Sequence, residues 1–305
     1  MKPPAFDLHA PSDLGDVLRV MADYGDKAKV LAGGQSLVPM LNFRLLSPEV
    51  LVDLNRVSAL GRVPRLDAST SEAADVAGLT APRPQVELGA LVRHVTAERS
   101  LVLAEHVPLM PAALKHVGHL AIRNRGTVVG SLCHADPAAE MCAVALLLNA
   151  TMTLRGLDTE REVDASDFFR GPLETALEPD ELVMRVRFES MAGAGWGFHE
   201  VARRTGDFAM AGAAVVLMRE HSRISEVRVS VFGAADRPVR MHALERAMSG
   251  EDVGDKRAWF GALDDAVDCL EPMDDLHASA DFRRHLAAVS VERAFDAAVE
   301  CGGDA

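Results

Sequence analysis

Cysteine is scarce and scattered. Cys133, Cys142, Cys269 and Cys301 form no CxxC pair and no iron–sulfur ligand run. They read as free thiols in a reducing compartment. Positive charge is also short: 32 Lys and Arg stand against 45 Asp and Glu, for a net charge of −13 and a pI near 5.3. Such an acidic chain is a poor ligand for nucleic acid or an anionic membrane surface. No apolar run approaches the roughly 20 residues that cross a bilayer. The opening MKPPAFDLHAPSDL has no apolar core of a signal peptide. The expectation is a cytoplasmic protein. Two common phosphate fingerprints, GxGxxG and GxxxxGK[ST], are missing. So are solenoid-period repeats, low-complexity blocks and any convincing nucleophile–base pair.

What is there fills two or three modest lobes, since 305 residues can bury more than one core. Ser12 is placed to cap a helix whose apolar face is Leu14, Val17, Leu18 and Met21, ended by Tyr24-Gly25-Asp26. Lys29 to Ala32 reads as a buried strand. Ser36 can cap a second helix, which Pro48 stops, and Val50 to Leu54 forms another strand. Residues 61–84 read as loop or hairpin, 86–88 as strand, and a helix is expected from about Thr96. Residues 108–121 and 141–150 carry helical patterns. The character changes near residue 179: strands over 182–188, 196–204, 211–218 and around 227–231 precede helices over 240–249, 255–269 and 281–300.

Two glycine-bearing loops stand out. In VLAGGQSLVP, Gly33, Gly34, Gln35 and Ser36 lie between a strand and a helix start. Bare backbone there lets amides approach an anion, and a helix start adds a positive dipole end. A tight turn without a ligand is the plainer reading of that loop alone. The second loop, AIRNRGTVVGSLCHADPAAEM, offers Gly126-Thr127 and Gly130-Ser131, followed by Asp136 and Glu140. Carboxylates beside an amide cradle suit a ligand with both phosphates and hydroxyls. Val129 between the glycines predicts extended backbone.

The stretches LAGGQSLVPMLNFRLLSPEVLVDLNRV, AIRNRGTVVGSLCHADPAAE and FHEVARRTGDFAMAG resemble, in order and spacing, the FAD-binding medium subunit of the molybdenum hydroxylases. That family includes carbon monoxide, quinoline, nicotine and xanthine dehydrogenases. The resemblance runs from about residue 3 to 290. It implies an α+β fold: a two-lobed PCMH-type FAD-binding domain over 1–178, with lobes of about 1–57 and 58–178. A C-terminal lobe over 179–290 follows, a three-stranded antiparallel sheet packed on helices, and then a tail over 291–305. It implies that Ala32, Gly33, Gly34, Gln35 and Ser36 line the pyrophosphate of a noncovalent FAD, with Thr127, Gly130 and Ser131 opposite. Asp136 and Glu140 would meet the ribityl or ribose end. Val117, Leu182, Val183, His199 and Phe208 would stand near the flavin, His199 at a position often lysine in relatives.

The resemblance further implies electron transfer from two [2Fe–2S] clusters of a small partner subunit to FAD. A large partner would hold the molybdenum–pterin cofactor, the whole forming a dimer of heterotrimers. The form GGQS, rather than GGHS, leans toward heterocycle-oxidising relatives. Rival readings are a self-sufficient flavin oxidoreductase of the wider superfamily and a scaffold that has lost its flavin. His116 and His119 could be read with His134 and Asp136 as metal ligands. Arg203-Arg204 could pair with a phosphate or with a partner's carboxylate, and Cys133 stands where a covalent flavin link is conceivable.

Overall fold

The computed structural model describes residues 2–67 and 83–302. The first lobe is built as its periodicity suggests. β1 (Asp7–His9) leads to α1 (Leu14–Tyr24), which buries Val17, Leu18 and Met21. The cap is Asp13 rather than Ser12: its carboxylate accepts from the Gly15 amide at 2.7 Å, and a carboxylate at a helix start also meets the positive end of the dipole. β2 (Ala28–Leu31), α2 (Leu37–Asn42) and β3 (Val50–Asp53) complete a parallel sheet of order β1-β3-β2. α2 stops at Asn42, well before Pro48, where Arg44 turns into the left-handed region at φ 59°.

The second lobe carries a five-stranded antiparallel sheet. Its strands are β4 (Arg65–Asp67), β5 (Gln85–Gly89), β6 (Thr151–Arg155), β7 (Glu160–Asp164) and, after a small hairpin of β8 (Phe169–Gly171) and β9 (Glu174–Thr175), β10 (Leu182–Glu189). Their order is β4-β5-β10-β6-β7. Of the segment expected as loop or hairpin, β4 is its first arm, and 68–82 lie outside the described residues. Between β5 and β6 run α3 (His94–Glu98), α4 (Leu101–His106), α5 (Leu109–Leu114), α6 (Leu120–Arg125), α7 (Val128–His134) and α8 (Glu140–Leu147), and α9 (Ala165–Phe168) follows β7. The helix expected from Thr96 starts two residues earlier, and the one expected over 108–121 breaks into α5 and α6, with Gly118 at φ 49° between them.

β10 pairs with both β5 and β6. The strand that begins just after residue 179 therefore belongs to the second sheet, and the third sheet starts at Gly195. Its strands are β11 (Gly195–Ala202), β12 (Ala209–Glu220), β13 (Arg223–Phe232) and the two-residue β14 (Val239–Arg240), in chain order. The fourth strand is a short addition to the three expected. α10 (His242–Met248), α11 (Arg257–Asp268) and α12 (Ala280–Cys301) follow. The helix expected over 281–300 is α12, which runs on through residues assigned to the tail: Val291, Ala294, Phe295 and Ala298 are fully buried in the third core.

Both faces of β12 are covered. Ala211, Ala213, Val215 and Leu217 join the third core under α12, while Ala214 and Val216 join the core of the second lobe. That is why AMAGAAVVL reads as a continuous apolar run rather than an alternation. The third sheet is thus clamped between α12 and α8. The site lies along the joints between these three bodies.

Candidate functional site

The first glycine loop leaves the C-terminal end of β2. Gly33 is buried, and a Cβ there would stand 2.4 Å from the Arg125 carbonyl oxygen and 2.7 Å from Gly126 Cα. Only glycine allows the two loops to touch backbone to backbone. Gly34 has φ +73°, the left-handed region that side chains disfavour. Its carbonyl accepts from Val38 N at 3.0 Å, and Gln35 Nε2 donates to the Gly33 carbonyl at 3.1 Å. Ser36 takes the cap position of α2, but its hydroxyl makes no capping bond. Among the described residues, none accepts from the amides of Gly33, Gly34, Gln35 or Ser36. A run of unspent N–H groups is what an anion needs.

The second loop is held differently. His94 N donates to the Gly126 carbonyl at 2.9 Å and Val128 N to the Val92 carbonyl at 3.1 Å. Thr127 Oγ1 caps α7 by accepting from Gly130 N at 3.0 Å. The Gly130 amide is therefore occupied, unlike those of the first loop. Val129, expected to be extended, is helical within α7, because the Thr127 cap starts the helix one residue before it. Ser131 is half-buried one turn on. His94 lies under Gly126, and burial pushes its imidazole down to about 4, so it is neutral.

After α7 the chain reverses at Ala135, φ 49°. Asp136 Oδ1 accepts from Ala138 N at 2.8 Å. Glu140, at the first position of α8, is buried. Burial, with the Glu200 and Asp136 charges adding to it, pushes its carboxyl up to about 8. At neutral pH Glu140 is thus an uncharged acid that can donate. Glu200 reaches back from β11 to His116 Nδ1, 3.2 Å from its Oε1, and the His116 ring lies 4.9 Å from that of Phe198. Sequence reasoning passed over Glu200, because a charged residue on an otherwise ordinary strand carries no local signal.

The residues expected around the flavin ring separate into groups. Val117 is half-buried in the α5–α6 turn, whose Val117 and Gly118 carbonyls accept from Arg123 Nη1 at 3.2 and 3.1 Å. The β11–β12 turn lies against that turn, Gly206 beside His119 and Gly118, and carries Phe208 into solvent at 70% exposure. Leu182 and Val183 are buried in the second core. His199 points away. Side chains alternate along a strand, so Phe198 and Glu200 face the second lobe while His199 faces α12. There its Nδ1 lies 3.1 Å from Ser290 Oγ and its Nε2 3.1 Å from Arg293 Nη1. Burial, then Arg293, lowers its pKa.

The structure therefore joins the two glycine loops through Gly33, against Arg125 and Gly126, and sets the β11–β12 turn against His119 and Gly118. It does not bring His199 to either contact. Among the described residues there is no group of three or more His, Cys, Asp or Glu that could hold a metal, and His116 Nδ1 lies 3.2 Å from Glu200 Oε1. Arg203 pairs locally with Asp207 at 3.5 Å. Burial pushes the Cys133 thiol up to about 12, an unreactive state.

Residues 4–188 match the family of FAD binding domains in molybdopterin dehydrogenases, and residues 196–298 match the carbon monoxide dehydrogenase flavoprotein C-terminal domain. The chain belongs to this FAD-binding family of the molybdopterin dehydrogenases. It is 36% identical over 305 residues to the caffeine dehydrogenase subunit beta of Pseudomonas sp. (strain CBB1), covering 98% of this chain and 97% of that one. It is 36% identical to the nicotine 6-hydroxylase medium subunit of Paenarthrobacter nicotinovorans, over 96% and 97% of the two chains. A chain of carbon monoxide dehydrogenase from Hydrogenophaga pseudoflava superposes with a TM-score of 0.91 at 33% identity, over 99% of this chain and 100% of that one. One of quinoline 2-oxidoreductase from Pseudomonas putida 86 does so with 0.88 at 36%, over 99% of each. The free amides and the glycine-only contact fit the diphosphate of FAD.

Proposed function

We propose that this chain is the FAD-carrying electron-transfer subunit of a heterotrimeric molybdenum hydroxylase. Its partners in this reading are a small subunit with two [2Fe–2S] clusters and a large molybdenum–pterin subunit, assembled as a dimer of heterotrimers. The relatives called subunit beta and medium subunit support a place among other subunits. The observation that carries the reading is the row of unspent amides at Gly33–Ser36, pressed against the second loop through Gly33. When bound, FAD supplies a carrier that accepts electrons from an iron–sulfur centre and gives two to an external acceptor.

The chain's own residues bind and orient. The Gly33–Ser36 amides, following Ala32, donate to the diphosphate. Thr127, Gly130 and Ser131 form the opposing wall, more by shape and hydroxyl than by amide. Asp136 accepts from a ribityl or ribose hydroxyl, and Glu140 donates as a neutral acid. Leu182 and Val183 form the apolar wall behind the ring, Val117 flanks it and Phe208 shields it from the solvent side. His199 steadies α12 against β11 rather than the ring.

The substrate class we favour for the complex is an N-heterocycle. Identity is 36% to the caffeine and nicotine enzymes' subunits, against 32% and 29% to two carbon monoxide dehydrogenase medium chains. The setting we propose is cytoplasmic, consistent with four cysteines that are all free. Among the described residues, no helix is long and apolar enough to cross a membrane.

Stopped-flow spectroscopy tests the reading. The isolated chain loaded with FAD should pass electrons from a chemical reductant to a dye, and no organic substrate should bleach its flavin. The assembled complex should be bleached by its substrate. Substrate-driven bleaching of the isolated chain at the rate of the complex would overturn the assignment in favour of a self-sufficient flavoenzyme. Absence of flavin from the purified complex would point to a scaffold.

A further inference from the structure

The two glycine loops come from different lobes and are not joined by any strand pairing. Something else must set the gap between them. Two carbonyls matter most, those of Ala32 and Arg125, because each immediately precedes its loop's glycine. Both are held by side chains. Asn55, two residues past β3, donates from Nδ2 to the Ala32 carbonyl at 3.0 Å. Its own backbone N is fixed to Asp53 Oδ1 at 2.9 Å, and Nδ2 also meets that oxygen at 2.5 Å. Arg93, at the cap of α3, donates from Nη2 to Asn55 Oδ1 at 2.5 Å and from Nη1 to the Arg125 carbonyl.

We infer that Arg93 and Asn55 form a clasp that sets the spacing of the two loops for the FAD diphosphate. The connection runs Ala32 carbonyl, Asn55 amide, Arg93 guanidinium, Arg125 carbonyl, with no gap between successive polar groups. Each member acts through direction as well as charge. A planar guanidinium reaches two acceptors along fixed lines, which an ammonium cannot do. The amide of Asn55 must donate on one side and accept on the other, which neither a carboxylate nor an apolar group can do. Gly33 makes the clasp consequential, because it leaves the loops in backbone contact where a small displacement opens the cradle. Arg93 also adds positive charge beside Arg125, favourable to an approaching diphosphate. These are positioning residues: they hold the loops, and the loop amides hold the ligand.

The inference rests on the loops being the FAD cradle, and the test separates the two claims. FAD affinity is measured by titration on the full-length apo chain for wild type, R93K, R93A, N55D and the R93A/N55D pair. Far-UV circular dichroism and thermal melting report folding. The clasp predicts that R93K and N55D each weaken FAD by about tenfold to a hundredfold, the scale of losing a group that orients a binding residue. The pair should be little worse than the poorer single variant, because one broken link already frees the gap. Millimolar methylguanidinium should restore affinity to R93A but not to N55D. R93K binding like wild type would reduce Arg93 to a charge and overturn the clasp, and so would additive losses in the pair. Should R93A fold poorly, R93K and N55D still decide the question. A wild-type chain without measurable FAD affinity would instead sink the cradle itself, and the clasp with it.

Discussion

Arg228 of β13 grips Glu189 of β10 with both ends of its guanidinium, Nη1 to Oε2 at 2.9 Å and Nη2 to Oε1 at 3.0 Å. The pair crosses from the third sheet to the second. Arg83 and Glu226 extend it: Arg83 bonds both Glu189 and Glu226, and Glu226 also bonds Arg228. Removing Glu189 would take away both of its bonds to the buried Arg228 guanidinium and leave that charge to Glu226 alone. Glu189→Ala is expected to destabilise the chain by about 3 kcal/mol, read as a lowered urea midpoint.

The same network sets the acid limit. Arg83 holds Glu226 down to about 2, and Glu189 is held low by Arg228 despite its burial. A carboxylate depressed on folding stabilises above its unfolded pKa, about 4.3, and loses that contribution as pH falls through its folded value. Melting temperature should drop between about pH 4 and 2, and Glu226→Gln should shrink the drop.

Glu140 works in the opposite sense. Its folded pKa of about 8 lies above the unfolded value of about 4.3. The folded chain keeps a proton that the unfolded chain releases, so stability falls as pH rises from about 4.3 to 8. The apo chain should melt lower at pH 8 than at pH 5.5, and Glu140→Gln should flatten that slope. An unchanged slope in Glu140→Gln would contradict the buried neutral acid.

Gly33→Ala should do more harm to binding than its size suggests. The added methyl meets the Arg125 carbonyl at 2.4 Å, so the loops must part. FAD affinity should fall at least about tenfold. Gly34→Val should also fail, through strain at φ +73°, which for a non-glycine residue costs roughly 1–2 kcal/mol. Gln35→His should be mild, because Gln35 is exposed and its amide only closes the turn.

Cysteine chemistry checks the mode of FAD attachment. Cys142 is buried and Cys133 half-buried, both thiols pushed up by desolvation, whereas Cys269 and Cys301 are exposed. Iodoacetamide should label Cys269 and Cys301 first, followed by mass spectrometry. Acid precipitation should leave yellow FAD in the supernatant; colour on the pellet would mean a covalent link.

Long periodic elements were legible. The apolar face of α1, the β2–α2–β3 unit and the strands β10 to β13 follow from patterns that a packed core imposes on neighbouring residues. Both glycine loops were legible because bare backbone is conspicuous. What was hidden depends on distance in sequence. Whether β10 belongs with the second or the third sheet is decided by partners about 100 and 30 residues earlier (Arg185 opposite Gly89 and Thr153), which no local window contains. The helix over 281–300 was legible, but that residues 291–301 belong to the third lobe was not, because their burial depends on β11 and β12. The face taken by His199 turned on strand phase, and a shift of one residue reverses it. Asn55 and Arg93 gave no signal, since each is an ordinary polar residue in a short connection, and their meaning lies in meeting across 38 positions.

Among the described residues, the chain passes from the second sheet to the third once, through the turn between β10 and β11. Ser190 and Met191 are tied down by bonds to the Pro84 and His106 carbonyls, 2.8 Å each, while Ala192 and Gly193 stand exposed. Across the same boundary lie the Arg228–Glu189 fork, the bond from Ser230 Oγ to the Ala143 carbonyl at 3.1 Å, and the stacked rings of Phe198 and Phe232 against Ala143. The peptide link is therefore the weakest part of this joint in everything but chemistry. A protease nick between Ala192 and Gly193 would be silent: two fragments would travel as one particle through gel filtration and come apart only in denaturant. The two pieces, made separately, would find each other as a split protein does.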